Sequence, residues 1–341
     1  MNKVVSIITP SFNRGYIIHE TAKSIFNQTY PHWEWVIVDD GSTDNTWDII
    51  QKYAAEDTRV KILKRNREPK GACVCRNIAI ENCTGEYLIF VDTDDLMADY
   101  CLQQRVDAMN DNPDCDFVIF PMLLFKNQPD DLKLLWNVDS DVDDLKRILQ
   151  GNPVCQGTGP LWKKSSFKHI GMWKEDLMLW QDIELHIRSL LWPMKYIKRL
   201  DLRPDVFLRV SDDSLSRVGF YSKSKMNSRI AVYTFACYRI AELNKLPVYK
   251  DALQVMGADI VSSVIRSRHF EQLDDILNLC EKYSIFNDSE IKLYKRYAAA
   301  TKMRIYKLPF LYNPIKEKAE HIVTTPENTL AKIKWEHPIG V

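Results

Sequence analysis

Asp92-Thr93-Asp94-Asp95 follows directly on the apolar run 87–91, Tyr-Leu-Ile-Phe-Val. A run of bulky and β-branched residues reads as a buried strand, and carboxylates just past its end project from the carboxyl edge of a sheet, where open α/β folds bind ligands. Acids clustered there invite a hard divalent cation. Mg²⁺ or Mn²⁺ takes one or two carboxylates plus phosphate oxygens, so the matching guest is a metal-chelated diphosphate held by Asp94 with Asp92 or Asp95. Taken alone, a D-x-D string is more often a solvated turn that caps the next helix. The residues around it decide between the two.

A second apolar run ends in Asp39-Asp40-Gly41-Ser42-Thr43-Asp44. Gly41 permits a tight turn, Ser42 or Thr43 can cap the next helix, and Asp40 at the strand edge can accept a hydrogen bond from a pyrimidine N–H. A capped turn explains 41–44 but does not call for two acids behind an apolar strand, because burying both costs free energy unless something binds them. The first strand runs into Thr9-Pro10-Ser11-Phe12-Asn13-Arg14. That turn either offers backbone amides and an aromatic edge to a base or is an ordinary strand-to-helix connection. Arg76 lies early in a helical pattern that leads into the strand before Asp92. Its guanidinium can brace the carboxylates or a diphosphate through bidentate contacts, the alternative being a surface arginine.

The elements that must position these residues alternate as in a parallel sheet with crossover helices. Strands are expected at 4–9, 33–39, 60–63, 87–91 and 117–122, and helices at 17–27, 46–53, 73–82 and 100–109. The acidic, aperiodic stretch 130–144 suggests a surface excursion before a helix ending near Gln150. A less regular α/β stretch follows over 151–219, and 221–308 is nearly all helical in pattern. From Leu311 the chain carries Pro314, Pro326 and Pro338 and is expected to pack loosely.

With 341 residues the chain can bury a large core, and 46 basic residues balance 46 acidic ones, leaving no overall field to hold nucleic acid. The eight cysteines show no C-x-x-C pair or zinc spacing and read as reduced core residues. No apolar leader is visible and no stretch approaches the roughly 20 apolar residues of a membrane span. The expected location is cytoplasmic, at most peripheral at the inner face of a membrane.

V-S-I-I-T-P-S-F-N-R from Val5, S-I-F-N-Q-T-Y from Ser24, W-V-I-V-D-D-G-S-T-D from Trp35, R-N-I-A-I from Arg76 and G-E-Y-L-I-F-V-D-T-D-D from Gly85 together resemble the family 2 glycosyltransferases with the GT-A fold. The resemblance is strong over residues 1 to about 125, weakens toward 220 and vanishes beyond. It implies a Rossmann-like, mostly parallel central sheet flanked by helices, with residues 1–220 as the transferase domain. Within it, 1–125 would bind the nucleotide-sugar and 126–220 would face the acceptor, and 221–341 would be a mostly helical extension. By position, the resemblance implies that Pro10, Phe12 and Asp40 hold a uracil base, that Arg76 lies near the pyrophosphate, and that Asp92 and Asp94 hold ribose, metal and diphosphate. Arg14 and Thr93 lie within the same motifs and are counted with the donor-binding residues.

A further family signature is a Glu-Asp pair opening a helix after an I-G-x-[FW] segment. Here Ile170-Gly171-Met172-Trp173 precedes Trp180-Gln181-Asp182-Ile183-Glu184-Leu185. Asp182 matches the family's catalytic base, while Gln181 replaces the usual Glu and Trp180 a frequent Gly. Trp180, Ile183, Ile187 and Leu190 fall at helical spacing toward the core, leaving Asp182 and His186 one turn apart on another face, with His186 read as a structural neighbour. Without the resemblance, Asp182 is a helix-terminal acid. Many relatives carry R-x-H-x-x-S after this domain, whereas Arg209-Val210-Ser211-Asp212-Asp213-Ser214 puts Ser211 at the histidine position. A loop closing over the donor would then use Ser211, Ser214 or Arg217.

The resemblance implies an inverting glycosyltransferase that uses Mg²⁺ or Mn²⁺ and moves a sugar from a nucleoside diphosphate donor, by preference a UDP-sugar, to a glycan or lipid-linked glycan in cell-surface polysaccharide synthesis. One rival is a catalytically silent nucleotide-sugar-binding protein, which Gln181 and Ser211 keep open. A nucleotidyltransferase is another, for which the loop 9–15 lacks the Gly-rich character. Toward the carboxyl end, Arg304, Lys307, Lys316, Lys318 and Lys332 are interspersed with Tyr306, Phe310, Leu311, Tyr312 and Trp335, a mixture suited either to an anionic membrane surface or to a packed helical face or homodimer contact.

Overall fold

The computed structural model describes residues 3–211, 219–323 and 334–336. Strands β1 (Val5–Ser11), β2 (Trp33–Asp39), β3 (Val60–Lys64) and β4 (Tyr87–Phe90) form from the apolar runs. Of these, β2 and β4 are buried throughout and β1 nearly so, as a sheet covered on both faces requires. Helices α1 (Ile18–Phe26), α2 (Thr46–Glu56) and α3 (Ala72–Asn82) supply the crossovers. The four strands pair in parallel in the order β3-β2-β1-β4, with Ser11 level with Asp39 and Ile8 level with Phe90. Their carboxyl ends therefore share one edge. The chain winds one way from β1 through β2 to β3 and then returns to place β4 on the other side of β1, so a topological switch point opens at that edge.

After β5 (Leu96–Met97) and α4 (Cys101–Asp111) come β6 (Phe117–Ile119), β7 (Met122–Phe125), β8 (Leu134–Leu135), α5 (Asp144–Leu149), β9 (Pro160–Lys163), α6 (Lys164–His169), α7 (Gln181–Leu191), β10 (Tyr196–Lys198) and β11 (Val206–Arg209). Antiparallel β9 extends the sheet to seven strands, β10-β6-β9-β4-β1-β2-β3, and β5-β11-β7-β8 form a second sheet. The single strand expected over 117–122 is two strands in different sheets. Pro121 carries no N–H to continue a ladder, and the break is stitched by buried Asn137, which donates to the Phe120 and Val154 carbonyls and accepts from the Met122 amide. The stretch 130–144 is thus only partly a surface excursion: it contributes β8 and this buried amide.

Five helices follow: α8 (Lys223–Glu242), α9 (Leu246–Ser267), α10 (Leu273–Lys282), α11 (Asp288–Lys302) and α12 (Pro309–Glu320). Their apolar faces share one core with Leu145, Ile148 and Leu149 of α5 and Ile187 and Leu191 of α7. The looseness expected from Leu311 onward does not hold as far as Glu320, because α12 continues through Pro314 and the Tyr312 hydroxyl reaches the Thr301 hydroxyl at 3.0 Å. Pro326, Lys332 and Pro338 lie outside the described residues. All eight cysteines are buried free thiols.

A buried carboxylate ties the amino-terminal edge of this sheet together. Glu34 on β2 accepts from Lys61 on β3 at 2.6 Å, from the Ser6 hydroxyl on β1 at 2.7 Å, and from the Gly85 amide before β4 at 2.9 Å. Gly85 suits that approach, since a Cβ there would lie 2.4 Å from Ser6 Oγ. Burial pushes the Glu34 carboxyl up, but the hydrogen bonds from Lys61, Ser6, Thr84 and Gly85 outweigh it and hold the pKa at about 2. A depressed folded pKa gives stability that is complete above the unfolded value of about 4.3 and is lost as pH falls from there through about 2. Glu34→Gln should cost on the order of 3 kcal/mol at pH 7, with the difference from the parent chain shrinking on acidification. Urea unfolding at pH 7 and pH 3 measures both, and equal losses at the two pH values would rule the account out.

Candidate functional site

The loop after β1 and the loop after β2 are laced together at the shared carboxyl edge. Asn13, at φ 52, donates its amide to Ser42 Oγ at 3.0 Å and accepts from the Thr43 amide at 2.8 Å. The Arg14 amide donates to Thr46 Oγ1, and the Gly15 amide to Asp44 Oδ2. Pro10 and Phe12 are half-buried in this edge, and Lys70 Nζ sits 3.4 Å from the Phe12 ring centroid, leaving an aromatic face and a cation together.

The two acids that end β2 have separate surroundings. Asp39 accepts from the amides of Gly41 and Ser42 at 3.1 and 3.0 Å, closing the turn as a cap does, and Gly41 supplies the positive φ of 84° that turn needs. Asp40 is buried, and its Oδ1 accepts from Arg65 Nε at 2.6 Å. Arg65 had no motif to announce it. The usable signal is register: Asp39 pairs with Lys64 at the end of β3, so the next residue on each strand meets at the same edge.

Behind β4, Arg76 is buried on α3 and donates to Asp92 Oδ1 at 2.6 Å, with its guanidinium 4.8 Å from the Trp173 ring centroid. Thr93 is buried, and the 92–95 turn closes with the Asp95 amide on the Asp92 carbonyl at 3.2 Å. Burial and the neighbouring Asp92 charge push the Asp94 carboxyl above its ordinary range, with Arg14 and Arg209 pulling it back. Among the described residues, no other residue's hydrogen bond to the Asp94 carboxylate is seen.

Asp95 ties the acidic turn to two distant segments. It is buried, its carbonyl accepts from Thr21 Oγ1 at 2.8 Å, and its Oδ1 accepts from the Arg209 amide at 3.1 Å. Arg209 also donates Nε to the Asp94 carbonyl at 3.0 Å and pairs with Glu20 at 2.5 Å, strapping the acidic turn to β11 and α1. More than a hundred residues separate Arg209 from this turn, so no sequence spacing points to the contact. Asp95 is thereby a structural tie through Oδ1, and among the described residues no group of three His, Cys, Asp or Glu side chains forms a complete metal cage. Asp92 and Asp94 lead the set. Two carboxylates, one of them charged at a cost, fit a hard divalent cation that takes its other ligands from phosphate oxygens.

Helix α7 brings the last group to this edge. Its N-cap, Trp180, has φ 62 and ψ 31, a left-handed conformation costly for a bulky residue and free for glycine, which accounts for Gly being frequent there in the family pattern. The strain is held by packing from α8: the Arg229 guanidinium lies 4.6 Å from the Trp180 ring centroid, and Ser228 Oγ accepts from the Met178 amide at 2.8 Å. Asp182 follows in the first turn. Burial raises its carboxyl above the ordinary range against the Ile183 and Asp182 amides; Arg76 lowers it and Asp92 raises it further. The start of α7 is thus within electrostatic reach of Arg76 and Asp92. Gln181 is engaged elsewhere, donating to the Leu177 carbonyl at 2.8 Å.

His186, one turn on, belongs to the core. It stacks on Trp162 with centroids 6.0 Å apart, its Nε2 lies 3.4 Å from Cys155 Sγ, and burial lowers its pKa to about 4, so it is neutral. Ser211 is described, and Ser214 and Arg217 lie outside the described residues. Several polar atoms along the edge have no hydrogen-bond partner, namely Ser11 Oγ, Asp39 Oδ1, Arg76 Nε and Trp173 Nε1.

Comparison with known proteins gives the same outline. The profile of "Glycosyl transferase family 2" matches residues 6–171. The chain is 42% identical over 106 residues to the putative teichuronic acid biosynthesis glycosyltransferase TuaG of Bacillus subtilis, a match covering 31% of this chain and 42% of that protein. It is 36% identical over 109 residues to the UDP-Glc:alpha-D-GlcNAc-diphosphoundecaprenol beta-1,3-glucosyltransferase WfgD of Escherichia coli, covering 32% of this chain and 42% of that protein. The match thus spans about two fifths of the length of these relatives. The crystal structure of Staphylococcus aureus TarS in complex with UDP-GlcNAc superposes with a TM-score of 0.65 at 17% identity, over 93% of this chain and 91% of that one. That likeness extends the shared fold into the helical region.

Proposed function

The chain belongs to glycosyl transferase family 2 over residues 6–171, and from that premise we propose that it is an inverting glycosyltransferase. Its donor is a nucleoside diphosphate sugar, by preference a UDP-sugar, and its acceptor a hydroxyl of a glycan or lipid-linked glycan in cell-surface polysaccharide synthesis. The observation that carries this reading is the Arg76–Asp92 ion pair of 2.6 Å at the switch-point edge, with the Asp182 carboxyl within electrostatic reach of both, which suits a proton acceptor facing a bound diphosphate. The relatives named for UDP-glucose transfer and teichuronic acid synthesis support the donor and acceptor classes.

In this reading Phe12, Pro10 and Asp40 receive the base, and Arg14 and Arg76 offset phosphate charge. Asp92 and Asp94 would hold Mg²⁺ or Mn²⁺, which when bound supplies positive charge to the departing diphosphate. The acceptor oxygen attacks the anomeric carbon from the face opposite the diphosphate. The bond to the diphosphate oxygen breaks as the new glycosidic bond forms, and the hydroxyl proton passes to the Asp182 carboxylate. Burial raises the basicity of that carboxylate, which suits it to the task. Because Gln181 is turned to Leu177, its place in the usual Glu position takes no partner from Asp182.

Asp40→Ala should weaken UDP binding about tenfold or more even without metal, since it removes a charged acceptor. Arg65→Ala, which leaves the acid but removes its brace, should weaken it less. Calorimetry measures both, and unchanged affinities would take Asp40 out of the donor site. The reading as a whole is tested by thermal stabilisation with a panel of nucleotide-sugars, with and without Mn²⁺, followed by transfer assays on glycan and lipid-linked acceptors. Stabilisation by none of them would end it, and donor binding without turnover on any acceptor would favour a silent binding protein.

A further inference from the structure

Among the described residues, the corner that joins α11 to α12 holds the densest group of exposed large apolar side chains. Met303 is 73% exposed, Leu308 47%, Phe310 72% and Leu311 49%, all within nine residues. The aromatic residues beside them turn inward instead: Tyr312 bonds Thr301 and packs against Tyr297 and Tyr306. Charge on the same segment is one-sided. From Ile291 to Lys316 the chain has no acidic residue and seven basic ones, Lys292, Lys295, Arg296, Lys302, Arg304, Lys307 and Lys316. Lys302, Arg304 and Lys307 are exposed among the apolar side chains, and the exposed Arg268 guanidinium lies 4.9 Å from the Tyr306 ring centroid at the same corner. Trp335, by contrast, sits at the second sheet, its amide on the Lys133 carbonyl, and takes no part in this face.

We propose that this corner is an interfacial docking face for an anionic lipid bilayer, with Phe310, Leu311, Leu308 and Met303 entering the acyl boundary and Lys302, Arg304 and Lys307 lying among the headgroups. Protruding apolar residues ringed by cations are the composition that binds such a surface, each basic side chain adding attraction within a Debye length. No described helix is long and apolar enough to cross a membrane, so the contact is interfacial. A second copy of the chain is a poorer occupant. In a two-fold contact the patch would meet itself and set Lys302, Arg304 and Lys307 against their own equivalents, a like-charge arrangement that interfaces avoid. With equal numbers of acids and bases overall, the attraction belongs to this corner and not to the whole protein.

The inference stands apart from the donor chemistry and is tested with the full chain and extruded vesicles of phosphatidylglycerol in phosphatidylcholine, against phosphatidylcholine alone. The protein should co-sediment with the anionic vesicles at low salt, release as salt rises, and ignore the neutral ones. Reversing three charges (Lys302→Glu, Arg304→Glu, Lys307→Glu) should lower the partition coefficient about a hundredfold. Phe310→Ser with Leu311→Ser should lower it about tenfold while keeping the salt dependence. Reversal of Lys23 and Lys52, exposed on the amino-terminal half, should change it little. Unaltered melting temperature and UDP affinity in the variants would show that the face, and not the fold or the donor site, was changed. The proposal is overturned if the intact protein stays in the supernatant, if neutral vesicles bind it equally, or if light scattering shows Phe310→Ser/Leu311→Ser turning a dimer into a monomer.

Discussion

Asp182→Asn should cut glycosyl transfer by about 10²-fold or more while leaving UDP affinity nearly intact, because the amide keeps the shape and the hydrogen bonds of the carboxyl but cannot take the acceptor's proton. The same variant separates this role from that of an ordinary helix-terminal acid. Burial raises the Asp182 carboxyl in the folded chain. A group with a raised folded pKa favours the fold while protonated and loses that contribution as pH climbs through the folded value, so at neutral pH its charge is a cost. The asparagine variant should therefore melt no lower than the parent at pH 7. An acid kept for the helix dipole would instead lose roughly 0.3–1 kcal/mol on neutralisation. In the parent chain, kcat should fall as pH drops through the Asp182 pKa, placing the acid limb above the ordinary carboxylate range. Wild-type turnover in the variant, or a melting temperature that falls with activity retained, would return Asp182 to a structural role.

Asp94→Ala should lower transfer by about 10²- to 10³-fold and abolish the metal dependence of UDP binding, since a hard ligand beside a diphosphate contributes several kcal/mol of charge stabilisation. Asp95→Ala should behave differently. Removing the tie between the acidic turn and the Arg209 amide should lower the melting temperature, with metal-dependent UDP binding surviving in whatever remains folded. Protons compete with metal for Asp94, whose carboxyl burial and Asp92 hold above the ordinary range. Apparent metal affinity should thus weaken on acidification in the parent chain before ordinary carboxylates titrate. Calorimetric titration of Mn²⁺ and UDP over a pH series measures this, and metal-dependent UDP binding retained by Asp94→Ala would remove Asp94 from the metal site.

Composition and local pattern were enough to give this chain its parallel β1 to β4 core, the helices between those strands, and a carboxyl edge carrying Asp40 and Asp92. Those features depend on runs of neighbouring residues: an apolar strand followed at once by acids is a local statement. The cysteines' burial was legible for the same reason, because several of them sit inside apolar runs, whereas periodicity set His186 on the face away from the core and the fold buries it against Trp162. Where Pro121 interrupts an apolar run, the pattern alone joined two strands that belong to different sheets.

Only the tertiary structure gave the acids their partners. The motif already ranked Asp40 ahead of Asp39 and Asp94 ahead of Asp92 and Asp95, but it named no partner for any of them. Asp95 became a tie because Arg209, 114 residues away, lays its amide on it, and Asp40 gained its partner because β3 ends in register beside β2. Packing from α8 holds the strained Trp180 and so fixes where α7 begins and Asp182 points, a contact between residues far apart along the chain. The inward turn of Tyr312 and the outward turn of Phe310 were equally hidden, since a one-dimensional mixture of aromatic and basic residues does not say which side of a helix meets the core. Spacing records what lies within a few residues, whereas charge partners and exposed faces are set by whichever distant segment the fold brings alongside.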